Sequence, residues 1–197
     1  NEVEDLAGTG GIGGGGRVCV YRIDPEDGTL TPFTESPSYG SNPCMLSQDS
    51  TGNYLVLANH AAGEACVTKI SRDIYGKYSI QRVFDDSGIV LFPLDKEGRI
   101  GDPLDIVVQN NPRCGTAGSH LHTVTMSPDG NLIAVCDKGW NRIHMYCIDR
   151  EHGTFKELSV TEEAPDANIR YAVFHDTLPY MYVNHEVANL SITVYKY

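Results

Sequence analysis

Long apolar runs, helical periodicity and a surplus of basic residues are all missing from this sequence. No run approaches the ~18 apolar residues that a membrane span needs. No stretch of about 12 residues repeats its apolar positions with the period of a helix, so almost no helix is predicted. Lys and Arg number 15 against 26 Asp and Glu, which gives a net charge of −11. This charge argues against nucleic acid or an anionic membrane as the main partner.

The six cysteines lack the paired spacing of a metal or redox motif. They are scattered along the chain, and no C-x-x-C pair occurs. This spacing predicts six reduced thiols, the state that is usual in the cytoplasm. We therefore expect a cytoplasmic protein, with a disulfide framework or a zinc site as the less favoured alternatives.

Residues 8–16 are rich in glycine and contain G-x-G patterns. A dinucleotide-binding fingerprint needs a strand before the glycines and a helix after them. The segment that follows here, residues 17–24, alternates like a strand instead. We interpret the glycines as a flexible loop.

A strong turn sequence, Ser127-Pro128-Asp129-Gly130, separates two runs of apolar and β-branched residues. Pro presets φ, Asp accepts hydrogen bonds within its own turn, and Gly tolerates a positive φ. The runs 121–126 and 132–136 are therefore predicted to pair as an antiparallel hairpin. Such pairing brings the start of the first strand beside the end of the second. Further strands are predicted at 17–23, 142–148 and 180–184.

Two short patterns recur along the chain. One is an aliphatic residue and an Asp followed by a Gly turn, and the other is an apolar strand that ends in a polar residue. The strand ends of the second pattern are Asn59, Asp137 and His185. A unit of four antiparallel strands that repeats every ~45–50 residues is typical of a β-propeller blade.

We therefore predict an all-β fold, a β-propeller of four-stranded antiparallel blades. Residues 1–197 form one incomplete propeller domain of about three and a half blades, and residues 71–88 are an insertion around a Tyr75-Gly76-Lys77 turn. A β-sandwich is the alternative fold, but it does not require so regular a repeat. Because an open propeller exposes strand edges and a blade face, we expect a missing C-terminal half or a second copy to complete it. The chain alone is expected to be inactive.

The repeat superposes chemically reactive side chains. His122 and Arg170 occupy one repeat position in neighbouring blades, and Glu186 follows the strand that pairs with the strand of Arg170. The first strand of a blade lines the central channel, so all three should meet at one mouth of it. They could supply a base, an anion-binding group and an acid. The predicted substrate contacts around them are His120, Asp137, Lys138 and Asn59.

Several of these residues have a purely structural alternative. Asp137 and Asn59 could close the loop after their strand by bonding the backbone, and His120 could be a satisfied structural histidine. A metal site from His120 and His122 is conceivable, but no third ligand has a clear spacing. We therefore predict no metal and no cofactor. The histidines interpreted as surface or turn residues are His144, His152 and His175.

Taken together, the motifs resemble a known family. They are His120-Leu-His122, Ser127-Pro-Asp-Gly130, Asp137-x-Gly139-x-x-Arg142, Arg170 with Val173-Phe-His175, Glu186, Asn42-Pro43-Cys44 and Leu57-Ala-Asn59. This set resembles the seven-bladed lactonase family, which includes propeller-type 6-phosphogluconolactonases and fungal carboxy-muconate lactonising enzymes. The resemblance runs from about Gly8 to Tyr195 and covers only the N-terminal half of the family. The chain departs from the family pattern at Lys138, where Leu is common, and at Tyr171, where His often follows the Arg.

The resemblance implies that about three and a half of seven blades are present, with His122, Arg170 and Glu186 as the active-site groups. It implies a hydrolase of a sugar lactone, foremost 6-phosphogluconolactone, in the pentose phosphate pathway of carbohydrate metabolism. Two alternatives stay open: a cycloisomerase that forms a lactone from a carboxy-cis,cis-muconate, and a non-catalytic propeller that binds proteins. Ionisable groups with perturbed pKa values at the channel mouth would favour an enzyme. An exposed apolar patch there would favour a binding platform.

Overall fold

The computed structural model describes residues 15–61, 66–84, 86–109, 118–186 and 190–197. These residues form strands joined by turns and bends, which confirms the predicted all-β fold. In this part of the chain, no helix is long and apolar enough to span a membrane.

Antiparallel sheets follow one another along the described chain. The first sheet pairs β1 (Arg17–Ile23) with β2 (Leu30–Pro37). The second sheet contains β3 (Pro43–Gln48), β4 (Tyr54–Asn59), β7 (Ser87–Pro93) and β8 (Asp105–Gln109). Between β4 and β7 the chain forms a separate hairpin of β5 (Cys66–Arg72) and β6 (Tyr78–Phe84), which is not part of this sheet. The third sheet contains β9 (Leu121–Met126), β10 (Ile133–Asp137), β11 (Arg142–Asp149) and β12 (Thr154–Glu162). The fourth contains β13 (Ile169–Phe174), β14 (Tyr180–His185) and β15 (Ile192–Lys196).

The predicted strands agree closely with these bounds. β1 and β9 have the bounds read from the sequence, whereas β10 begins and ends one residue later than predicted. The hairpin across residues 127–130 is confirmed by the antiparallel pairing of β9 with β10. The predicted insertion is the β5–β6 hairpin, which turns at Gly76 with a φ of 82° but begins five residues earlier than expected, at Cys66.

The second strand of each complete sheet is buried on both faces. Leu55 and Leu57 of β4 pack with Val18 of the first sheet, whereas Val56 of the same strand packs with Leu121 of the third. Because successive residues of a strand point to opposite faces, β4 supplies two separate cores. β10 repeats the arrangement, with alternate residues in the cores toward the second and the fourth sheets. This face-to-face succession of sheets is how propeller blades pack, and it places their first strands β3, β9 and β13 side by side.

Two predictions fall partly outside the described residues. Cys19, Cys44, Cys136 and Cys147 are thiols rather than disulfides, in agreement with the prediction. Cys114 and the side chain of Cys66 lie outside the described residues, as does most of the glycine-rich segment 8–16.

Candidate active site

The second strands of three consecutive sheets end side by side. A backbone hydrogen bond of 3.0 Å recurs at each end, from His60 N to Asn42 O, from Lys138 N to His120 O and from Glu186 N to Asn168 O. The predicted repeat offsets are therefore correct at the level of single residues. His60, Lys138 and Glu186 occupy one structural position in three neighbouring sheets.

A β-bulge interrupts the pairing of each first strand at the same end. The register of β3 against β4 shifts around Cys44, and that of β9 against β10 shifts around His122. The register of β13 against β14 shifts between Ile169 and Ala172, which brackets Arg170. A bulge bends its strand and redirects a side chain, and bulges are common beside active sites. The same backbone irregularity thus presents three different side chains at one place.

These two sets of positions surround a cavity of about 320 Å³. Its lining residues are Asn42, Cys44, His60, His122, Lys138 and Arg170. Three of the residues predicted for the site, namely His122, Lys138 and Arg170, therefore meet at this cavity. The predicted set omitted His60, although its equivalence with Lys138 and Glu186 in the repeat was a signal that could have identified it.

Arg170 and Lys138 hold the carboxylate of Glu186 from two sides. Arg170 Nη1 donates to Glu186 Oε1, and Lys138 Nζ forms an ion pair with Glu186 Oε2. Arg170 also donates from Nε to His122 Nε2 at 3.0 Å. The four residues form one network that joins the third sheet to the fourth, so the structure brings together the three residues that we predicted as catalytic.

His122 is neutral in this network. Burial, followed by the positive charge of Arg170, lowers the pKa of His122 to about 4, and the residue is only 6% exposed. Because Nε2 accepts the bond from Arg170, the ring proton lies on Nδ1. Among the described residues, that buried Nδ1 has no hydrogen-bond partner. His122 is therefore a weak base whose lone pair is already engaged, and its contact orients Arg170.

Two further histidine rings lie beside His122. The rings of His60 and His120 stack with their centroids 4.5 Å apart, and His60 meets His122 edge-on at 5.7 Å. His120 Nδ1 is 3.0 Å from the carbonyl oxygen of His60, which supports the structural alternative for His120. Burial lowers the pKa of His60 below its ordinary value, so this ring is also neutral at pH 7. A contact between His120 and substrate stays a prediction.

Asp137 and Asn59 bond the backbone. Asp137 is fully buried, and its Oδ1 accepts the N–H groups of His120 at 2.9 Å, Gly139 at 2.9 Å and Trp140 at 3.0 Å. Asn59 is 1% exposed, and its Nδ2 donates to the carbonyl of Ser38 at 2.8 Å. The bonds of Asp137 to Gly139 and Trp140 are those of the loop-closing alternative. Asn59 instead bonds Ser38, which precedes β3. Substrate binding by either residue stays a prediction.

The comparisons with known proteins identify the family of the chain. A family model described as "Lactonase, 7-bladed beta-propeller" matches residues 7–197. The chain belongs to this lactonase family. It is 24% identical over 178 residues to the 6-phosphogluconolactonase of Bacillus subtilis strain 168, covering 89% of this chain. It is 26% identical over 181 residues to the 6-phosphogluconolactonase of Enterobacter sp. strain 638, covering 91%.

The chain spans about half the length of these curated relatives, 44% in each case. Its fold matches a crystal structure from Bacteroides uniformis, a candidate 6-phosphogluconolactonase, with a TM-score of 0.51 and 18% identity. That match covers 91% of this chain and 60% of the other. It supports the β-propeller architecture.

Lys138 and Tyr171, the two positions at which we expected a departure from the family pattern, both contact the network. Lys138 supplies the second cation on Glu186. The ring of Tyr171 meets His122 edge-on at 5.0 Å, and the guanidinium of Arg170 lies 5.5 Å from the same ring. The ring of Tyr171 therefore packs beside both His122 and Arg170, whereas Lys138 is linked to Arg170 only through Glu186.

The remaining histidines lie elsewhere. His152 and His175 lie in turns, as predicted. His144 is not a surface residue: it is 4% exposed on β11, where its ring stacks on Tyr146 and its Nδ1 lies 2.8 Å from Glu157. The prediction was wrong because β11 is covered on both faces at this point: the consecutive residues Ile143 and His144 are both buried. Across the residues that the structure describes, no group of three or more His, Cys, Asp or Glu side chains could hold a metal ion.

Proposed function

We propose that the complete protein hydrolyses a sugar lactone at this cavity, with 6-phosphogluconolactone as the first candidate substrate. The observation that carries the proposal is the network of Arg170, Glu186, Lys138 and His122 beside a cavity of about 320 Å³. Perturbed ionisable groups at a cavity favour catalysis over a passive binding surface. The printed names of the two curated relatives support the same reaction class.

In the proposed reaction, Glu186 is the general base. It takes a proton from water while the water oxygen bonds to the lactone carbonyl carbon. Negative charge then develops on the carbonyl oxygen, where the guanidinium of Arg170 stabilises it. When the tetrahedral intermediate collapses, the bond from carbonyl carbon to ring oxygen breaks and the ring oxygen takes the proton back from Glu186. The product is the open-chain hydroxy acid, and no metal or cofactor takes part.

The charges of the site favour an anionic substrate. Arg170 and Lys138 line the cavity, whereas its histidines, His60 and His122, have lowered pKa values and are neutral at pH 7. The two cations outnumber Glu186, the one carboxylate that they pair with, in a chain whose overall net charge is −11. A phosphate or carboxylate on the lactone would therefore meet a locally positive site. We propose a phosphorylated sugar lactone for this reason. His122 serves as a positioning residue that holds Arg170.

We also propose the setting of the reaction. The unpaired spacing of the cysteines favours the cytoplasm. Because the chain spans 44% of its curated relatives, the other side of the channel is assigned to a C-terminal half or to a second copy of the chain.

The test is the kinetics of complete-protein variants on 6-phosphogluconolactone and on plain gluconolactone. Arg170→Ala and Glu186→Ala should each lower kcat/KM about 100-fold or more, because each removes a group that acts in the transition state. Arg142→Ala is the matched control, since Arg142 pairs with Glu162 at 2.8 Å in the third sheet outside the network. A thermal melt of each variant checks that it is folded.

If folded Arg170→Ala and Glu186→Ala proteins keep near-parental rates on whichever lactone the parent hydrolyses, the proposed site is wrong. If the parent hydrolyses neither lactone but converts a carboxy-muconate, the cycloisomerase alternative replaces the proposal.

A further inference from the structure

The carboxylate of Glu186 is bound as an anionic ligand would be. Its two oxygens contact two different cations, Oε1 with Arg170 and Oε2 with Lys138. We call Lys138 and Arg170 the anion clamp. Both cations line the cavity, and their side chains are 28% and 34% exposed, so a solute can reach them.

A phosphate monoester or a carboxylate presents the same pair of neighbouring oxygens as Glu186. A guanidinium binds such groups through paired N–H donors, and an ammonium binds them as a point charge. The anion clamp contains one of each. The anionic group of a substrate would therefore compete with Glu186 for the ammonium of Lys138.

The clamp also suppresses the chemistry that Glu186 has to perform. The hydrogen bond from Lys138 is the largest cause that lowers the pKa of Glu186, and the charge of Arg170 acts in the same direction. A carboxylate stabilised in this way is a poor acceptor for a proton from water. Glu186 becomes an effective base only when it leaves at least one of its two cations.

We infer that the anionic group of the substrate displaces Glu186 from Lys138, binds at Lys138 in its place, and so releases Glu186 to act as the base, while Arg170 stays with the lactone carbonyl. The inference rests on the proposed function and adds to it a reason for substrate selectivity. A lactone without an anionic group can enter the cavity but leaves the base masked. A lactone with such a group unmasks the base as it binds.

The test separates the anion from the lactone. Plain gluconolactone is the substrate, and the phosphite dianion is added as the missing anionic piece. In the complete parent protein, saturating phosphite should raise kcat/KM for plain gluconolactone at least tenfold. Lys138→Met should lose this activation. Lys156→Met, which replaces an exposed lysine on β12, is the control and should be activated like the parent.

A binding measurement completes the design. Titration calorimetry with inorganic phosphate should give at least tenfold weaker binding for Lys138→Met than for the parent and for Lys156→Met. If the parent hydrolyses lactones but phosphite leaves the rate unchanged or inhibits it, the displacement is refuted while the proposed function stands. If the parent hydrolyses no lactone, the proposed function fails, and calorimetry alone tests whether the clamp binds anions. Anion binding by the clamp is refuted if all three proteins bind phosphate equally or if none of them binds it.

Discussion

The buried neutral state of His122 makes a quantitative prediction about stability and pH. An unfolded histidine has a pKa of about 6.5, whereas burial and the charge of Arg170 lower the pKa of His122 in the folded protein to about 4. Between these values the unfolded state binds more protons, so folding stability is lost as the pH falls from about 6.5 toward 4. At pH 5 the loss from this one group amounts to about 2 kcal/mol.

His122→Gln removes that titration while keeping a side chain that can accept the bond from Arg170. The free energy of unfolding, measured with denaturant for both proteins, should therefore fall about 2 kcal/mol less for the variant than for the parent between pH 7 and pH 5. Between pH 7 and pH 9 the two profiles should run parallel, because His122 is neutral there in both states. NMR titration of the His122 ring gives the folded pKa directly. A ring that titrates near pH 6.5, or equal slopes for parent and variant below pH 7, would refute the reasoning.

Three further predictions concern the frame of the site. Asp137→Ala should destabilise the protein by about 3 kcal/mol, since it leaves three partly buried N–H groups without their carboxylate. Urea unfolding that shows a loss of less than about 1 kcal/mol would contradict this. Gly139→Ala should lower the free energy of unfolding by more than about 2 kcal/mol, because the added Cβ would lie 1.7 Å from the carbonyl oxygen of Gly118. Gly98→Ala is the control: a Cβ there meets open space but the φ is 82°, so the loss should be only about 1 kcal/mol. Thiol titration of the denatured, unreduced chain should count all six cysteines, and a count of four or fewer would contradict the prediction.

The architecture was predictable because the turn chemistry and the buried strands are both local features of the sequence. Residues 127–130 have the residue types that a tight turn needs. The uninterrupted apolar run 133–136 is typical of a strand that is buried on both faces, as it is in the structure. The repeat offsets then placed His122, Arg170 and Glu186 at one end of neighbouring sheets. Nothing beyond periodicity and turn signals was needed for that step.

The orientation of individual side chains was not predictable in the same way. At the end of each second strand two consecutive polar residues compete for the cavity, Asn59 with His60 and Asp137 with Lys138. The structure turns the first of each pair inward to bond the backbone and leaves the second at the cavity. A one-residue bulge in the neighbouring first strand, β3 or β9, shifts the register and so determines which of the two side chains faces the cavity. No residue type in the sequence predicts that bulge.

The repeated backbone and the unrepeated side chains together explain how the site acquires its chemistry. The same bulge presents Cys44, His122 and Arg170 in turn, and a cation and its carboxylate reach each other only because Lys138 and Glu186 stand at equivalent strand ends of adjacent sheets. The hydrogen bond from Arg170 to His122 and the ion pair of Lys138 with Glu186 both cross the boundary between the third and fourth sheets. The core beneath that boundary therefore holds the proposed catalytic network in register. Because each sheet contributes only part of the network, packing of the two sheets and assembly of the site are one event.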